Sequence, residues 1–167
     1  MNRVNDRPRV FLDTTILIAL ALSTREHPPG RYFFEMAIHG LIDLVVSRNV
    51  TSEMEGVLRD RAPDRAPKLI AMIAENLILA GVIHAAEPNE ETVDTCLNLT
   101  SYRPDAKVIA AAIETACEVF VTTDAEHLLR NPKIGSPKTR VVVMDVQEAL
   151  VWCQDQISTR SRYRTRE

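Results

Sequence analysis

The chain alternates short apolar runs of β-branched and aromatic residues with longer segments whose apolar positions recur every three or four residues. Arg9–Leu12 (RVFL) has the character of a short buried strand, and the apolar run ILIALAL that follows it reads as a helix that is hydrophobic all round. A Pro- and Gly-bearing stretch over Ser23–Gly30 is a loop, Arg31–His39 a helix stopped by Gly40, and Leu41–Val46 a second strand. Ser47 is placed to cap a helix reaching about Asp60, on which Val50, Met54, Val57 and Leu58 mark the inner face. Glu53 borders that stripe, while Glu55 lies farther round towards solvent.

The second half repeats the alternation. A helix over Lys68–Ala80 closes at Gly81, a short extended piece spans Val82–His84, and another helix covers Pro88–Asn98. Pro104 opens a helix to about Cys117 with its core stripe at Val108, Ile109, Ala112, Ile113 and Ala116. Val119–Thr122 is a strand, Ala125–Leu129 a short helix, Arg140–Met144 the last strand and Val146–Gln156 a closing helix carrying Trp152. Strands separated by helical segments of this length predict right-handed crossovers, a mostly parallel sheet and a three-layer α/β/α sandwich. Residues 1–157 are expected to form one domain. Residues 158–167, where Arg160, Arg162, Arg164 and Arg166 alternate with polar residues, are expected to be a disordered basic tail.

In such a sheet, strand ends and helix beginnings share one rim, and that rim gathers acids. Asp13 and Asp124 follow strands, Asp105 lies on the inward stripe at a helix start, and Glu53 sits in the second turn of its helix, where its arm can reach back. For Asp13 and Asp124, helix capping is the competing explanation, since Asp is a preferred N-cap. Clustered carboxylates repel one another unless a cation neutralises them, and an all-oxygen donor set suits Mg²⁺ or Mn²⁺ rather than Zn²⁺. The chemistry that follows is metal-assisted phosphodiester hydrolysis.

Composition narrows the partners. A net charge of −3 and a pI near 5.8 exclude a protein that coats nucleic acid through bulk positive charge, so any RNA contact is local. Cys96, Cys117 and Cys153 show no CxxC spacing, which fits a reducing cytoplasm and suggests neither a disulfide framework nor a thiolate metal site. No apolar run is long enough to span a bilayer. Aromatics make up 5% of the chain and fall largely in apolar runs, so no platform for stacking bases is legible. His27, His39, His84 and His127 read as surface or packing residues, Glu126 as an exposed first-turn glutamate and Arg103 as a loop cation.

The stretches VFLDTTILIAL, SRNVTSEMEGVL and RPDAKVIAAAIETACEVFVTTDAEHLL resemble the successive motifs of the PIN domain family, over about Arg9–Val151. PPGRYFFEMAIHGLIDLVVS resembles the subgroup of VapC-like toxin components of toxin–antitoxin pairs. The resemblance implies a divalent-metal endoribonuclease leaving a 5′ phosphate and a 3′ hydroxyl. It carries Asp13, Glu53, Asp105 and Asp124 over as catalytic, metal-binding acids and Thr122 as a supporting hydroxyl. It also implies an antitoxin partner and a homodimer. One position departs: where the family's first motif commonly reads Asp-Thr-Asn, this chain has Thr15, a supporting hydroxyl in place of an amide. Thr15 therefore also motivates an alternative, a PIN-like module with weak or absent catalysis that acts by binding protein or RNA. A phosphatase of the haloacid dehalogenase type, which needs a second aspartate where Thr15 stands, is disfavoured.

Overall fold

The computed structural model describes residues 7–134 and 139–164. Its spine is β1 (Arg9–Leu12), whose Val10, Phe11 and Leu12 are wholly buried because helices cover both faces of the sheet it centres. The chain then forms α1 (Thr14–Leu22), α2 (Arg31–Ile38), β2 (Asp43–Ser47), α3 (Arg48–Arg61), α4 (Ala66–Leu79), β3 (Ile83–Ala85), α5 (Glu90–Leu97) and α6 (Arg103–Glu114). It continues through β4 (Val119–Val121), one π-helical turn over Ala125–Leu129, β5 (Val142–Met144) and α7 (Val146–Arg164).

The five strands are parallel in the order β3-β2-β1-β4-β5. Crossovers run outward from β1 through β2 to β3, and the chain then returns to lay β4 on the other side of β1. That reversal opens a crevice beyond the carboxyl ends of β1 and β4, the place where open parallel sheets bind ligands. Leu12 pairs in register with Val121, and the ladder runs one bond further, from the Asp13 amide to the Val121 carbonyl at 3.0 Å. Phe11 and Phe120, also register partners, stack with centroids 5.3 Å apart and ring planes within 10°. The aromatic pair locks the two strands whose ends carry the crevice.

The helices end as their sequences dictate, with one exception. Gly40 and Gly81 take left-handed φ values of 67° and 59° after α2 and α4, and each helix closes with the paired bonds of a Schellman turn. Helix α6 closes in the same way, with Ala116 bonded to the Ile113 carbonyl and Cys117 to that of Ala112. There the left-handed position, φ 54°, is filled by Ala116. The core stripe expected to run to Ala116 therefore stops at Glu114, because no glycine marks the stop. On α6, Ala106, Ala110, Ala111 and Ala112 are all buried; their short side chains let this helix seat closely.

Three expectations change at the margins. The extended piece after Gly81 is a true edge strand, joined in parallel to β2. Glu55 is half-buried and bonded to Arg59 at 3.1 Å, so it is less exposed than Glu53. The expected basic tail is, through Arg164, the end of α7, since Arg160 donates to both carboxylate oxygens of Glu118 at 3.0 and 2.8 Å and extends the helix over the sheet. Residues 165–167, with Arg166, lie outside the described residues, as do the side chains of Arg162 and Arg164. Cys96, Cys117 and Cys153 are free and buried, and burial pushes the Cys117 and Cys153 thiols up to about 12. No helix among the described residues is long and apolar enough to cross a membrane.

Candidate active site

The crevice is built first from Asp13. It stands at the start of α1, but its side chain makes no capping bond, so the capping explanation does not account for it. Its Oδ2 instead accepts from Thr122 Oγ1 at 2.7 Å and from Thr15 Oγ1 at 2.9 Å. Asp13 is 8% exposed and Thr122 is fully buried, so these two hydroxyls hold a carboxylate that the surrounding strands have largely removed from water. Both bonds fall on Oδ2, which leaves Oδ1 without a protein partner among the described residues.

Thr15 does more than support Asp13. Its Oγ1 also accepts from the Thr123 amide at 3.1 Å and lies 3.3 Å from Thr122 Oγ1, so it clips the start of α1 to the end of β4. Thr122 Oγ1 accepts in turn from the Asp124 amide at 3.0 Å. One hydroxyl network thus sets both the first and the last acid. Thr14, the residue between, donates to Glu53 Oε2 at 2.9 Å and draws that arm from α3 towards α1. This is how Glu53 is positioned from its second turn.

For Asp124 the capping explanation is correct and incomplete. Oδ1 accepts from the Glu126 and His127 amides at 3.1 and 3.0 Å and so caps the π-helical turn. The His127 ring Nδ1 lies 3.3 Å from the same carboxylate. His127, expected in a surface or packing role, is exposed and has its ring set against Asp124. The signal in the sequence is Asp-x-x-His at a helix start, which brings the imidazole back over the cap. A π-helical turn is itself uncommon and recurs at functional sites.

Asp105 lies half-buried in the first turn of α6. Burial raises its pKa, and Asp124 and Asp13 raise it further; His127 lowers it, and Glu53 raises it, for a value of about 6. The causes name the geometry: every other acid of the candidate set lies near enough to repel the Asp105 charge. The cations beside it in sequence offer no relief. Arg103 pairs with Glu90 and Asp94, and Lys107 with Glu87 at 2.8 Å, all across the seam with α5 or its approach. Arg103, expected as a loop cation, is the first helical residue and a tie to α5.

This acidity is what a hard cation would relieve, and the donor set, carboxylate oxygens with neighbouring hydroxyls, suits magnesium or manganese. No group of three or more His, Cys, Asp or Glu side chains among the described residues is drawn tightly enough to hold one metal ion. Magnesium needs no such cage, since it keeps most of its waters and takes one or two carboxylates. The residues fit the ion in charge and chemistry, and Asp13 Oδ1 keeps no protein partner among the described residues.

Beside the acids opens a groove of about 420 Å³, lined by the α5–α6 loop and by Glu126, His127, Asn131 and Lys133. Tyr102 lines it too and is 60% exposed. Tyr102 sits in a polar loop, outside the apolar runs that hold most of the aromatics.

A family model described as PIN domain matches residues 9–126. No curated protein matches the chain. Among solved structures, PAE2754 from Pyrobaculum aerophilum is similar with a TM-score of 0.59 at 16% identity, over 89% of this chain and 96% of that one. VapBC2 from Rickettsia felis, bound to a DNA fragment from their promoter, aligns with a TM-score of 0.59 at 14% identity, over 82% and 98%. FitAcB from Neisseria gonorrhoeae gives 0.56 at 16% identity, over 83% and 98%. At such identities the likeness is one of fold.

Proposed function

Since the chain belongs to the PIN domain family, we propose that it is a divalent-metal-dependent endoribonuclease, the toxin of a toxin–antitoxin pair, that hydrolyses RNA phosphodiesters at the crevice beyond β1 and β4. The observation that carries this reading is the Asp105 carboxyl, whose proton affinity is raised first by burial and then by the charges of Asp124, Asp13 and Glu53. Acids brought from the ends of β1 and β4 and the starts of α3 and α6 share one field.

In this reading Asp13, Asp105 and Asp124, with Glu53, hold Mg²⁺ or Mn²⁺. An ion held there would supply Lewis acidity, to acidify water and to offset charge on a phosphodiester. Asp13 is fixed by Thr15 and Thr122 so that its remaining oxygen keeps one direction. Thr14 holds Glu53 towards the acids. His127 lies against Asp124 and offsets part of the negative field at Asp105. Without a cation, the acids would repel the approaching polyanion. An antitoxin partner belongs to the same proposal, supported by the likeness in fold to VapBC2 and FitAcB; a homodimer and a cytoplasmic setting belong to it on the family resemblance alone.

The test is RNA cleavage with Mn²⁺, with chelator, and after Asp13→Asn or Asp105→Asn. Cleavage that needs the ion and disappears in both variants, with their folds intact by circular dichroism, is the expected result. Unchanged cleavage by both variants sinks it. A second reading, a PIN-like module that binds protein or RNA without turnover, draws on Thr15 and on the spacing of the acids. A silent calorimetric titration with Mn²⁺, together with no cleavage, selects that module.

A further inference from the structure

Resting on the nuclease reading, we propose that the groove beside the acids seats one unpaired nucleotide of the RNA, with Tyr102 as the surface on which its base stacks and Lys133 as a contact for a backbone phosphate. The groove, about 420 Å³, is within the range of small-ligand sites. It opens directly on the acids, because His127 on its wall lies 3.3 Å from Asp124. A nucleotide seated there continues a strand whose next phosphate meets the carboxylates.

Three features suit it to an unpaired base. Tyr102 keeps a large ring 60% exposed only three positions before Asp105, with its amide bonded to Thr100 Oγ1 at 3.4 Å. Tyrosine offers an apolar face with a polar tip, which fits a wet stacking surface. Second, Lys133 is exposed on the opposite wall and carries no ion pair among the described residues, unlike Arg103 and Lys107. Third, Asn131 Nδ2 donates to the Leu99 carbonyl at 2.8 Å and ties the two walls together. The walls are therefore set before RNA arrives, which lowers the cost of ordering them.

The same geometry selects the form of the substrate. In an A-form duplex the base faces are hidden in the stack, and only splayed, unpaired bases can lie on an aromatic ring. Tyr102 is thus the residue of this chain that an unpaired base would meet, tolerant of base identity because every base has a stacking face.

The experiment compares the full chain with Tyr102→Ala, Tyr102→Phe and Lys133→Ala. KM and kcat are measured on a single-stranded RNA, and binding by fluorescence anisotropy in the Asp13→Asn background, each repeated with a duplex of the same sequence. Tyr102→Ala is expected to weaken single-strand binding and raise KM about 5- to 150-fold, the loss falling on KM rather than kcat. Tyr102→Phe keeps the ring and should restore both. Lys133→Ala should weaken binding and lower the salt dependence by about one phosphate contact. On duplex RNA, Tyr102→Ala should change nothing. Equal single-strand binding by wild type and Tyr102→Ala overturns the proposal, as does an equal loss on duplex. RNA bound with Tyr102 dependence but never cut refutes the nuclease reading and keeps this seat. RNA cut without Tyr102 dependence does the reverse, and a chain that neither binds nor cuts single-stranded RNA ends both.

Discussion

Thr122 Oγ1 lies 2.7 Å from Asp13 Oδ2, although the two residues are 109 positions apart in the chain. The bond exists because β4 is laid beside β1, and it is buried, so it is charge-assisted in a setting of low dielectric. The same hydroxyl accepts from the Asp124 amide, so one atom orients the acids that end both strands.

Thr122→Val keeps the shape and removes that atom. It leaves the Asp124 amide without its partner and Asp13 Oδ2 with Thr15 alone, which is expected to cost about 1–3 kcal/mol of stability. Chemical denaturation reads the loss, and cleavage should fall with it because Asp13 is no longer held in one orientation. Wild-type stability in this variant would show that the bond carries no net energy.

Thr15 offers a finer test of the same network. Thr15→Val removes the donor to Asp13 and the acceptor for the Thr123 amide, and should lower the cleavage rate by roughly tenfold, the worth of one hydrogen bond at the upper end. Thr15→Asn supplies both a donor and an acceptor and is expected to retain the rate. Single-turnover cleavage of one RNA compares them. If Val and Asn variants cut alike, Thr15 is a bystander.

The pH dependence follows from Asp105. Its folded pKa, about 6, lies above the 3.8 of an ordinary aspartate, so between those values the folded state binds more protons than the unfolded one. Stability from this group is therefore fully present below about pH 4 and is lost as pH rises through 6. In chelator, Asp105→Asn should melt at a higher temperature than wild type above pH 6, and the difference should close towards pH 4. Mn²⁺ should raise the wild-type melting temperature at pH 7 and raise it less at pH 5, where protons compete for the carboxylate. Parallel melting curves across this range would contradict the crowding of acids.

Ala116 allows a prediction free of the catalytic reading. A left-handed φ of 54° strains any side chain with a Cβ, so Ala116→Gly should relieve the stop of α6. After the extra freedom gained by the unfolded chain, the net gain is about 0.5–1 kcal/mol. Denaturant midpoints measure it, and a loss of stability would mean that the turn is not strained.

Much of the sheet was legible because buried parallel strands such as RVFL and VFV are short, apolar and β-branched, and because Gly40 and Gly81 announce two helix ends. The acids were legible because topology sends strand ends and helix starts to one rim. The end of α6 was not, since the residue that stops it looks like one more member of its stripe. Nor was the helical continuation of α7, whose Arg160 depends on Glu118, 42 positions away. The surroundings of His127 and Tyr102 were not legible for a related reason: what a ring faces is set across space, and both lie on loops and short turns whose shape no periodicity encodes. The Thr15 substitution was visible, but its bond to the Thr123 amide, which ties two distant segments, needed coordinates.

The return of the chain to β1 has a consequence for how the activity first arises. Asp13 leaves the ribosome early together with Thr15, yet the second hydroxyl that holds it, that of Thr122, comes 109 positions later. At synthesis rates of about 5–20 residues per second, several seconds separate the making of these two residues. Throughout that interval the carboxylate of a half-made chain lacks one of the two hydroxyls that orient it, and the crevice as described is completed only in a nearly finished molecule.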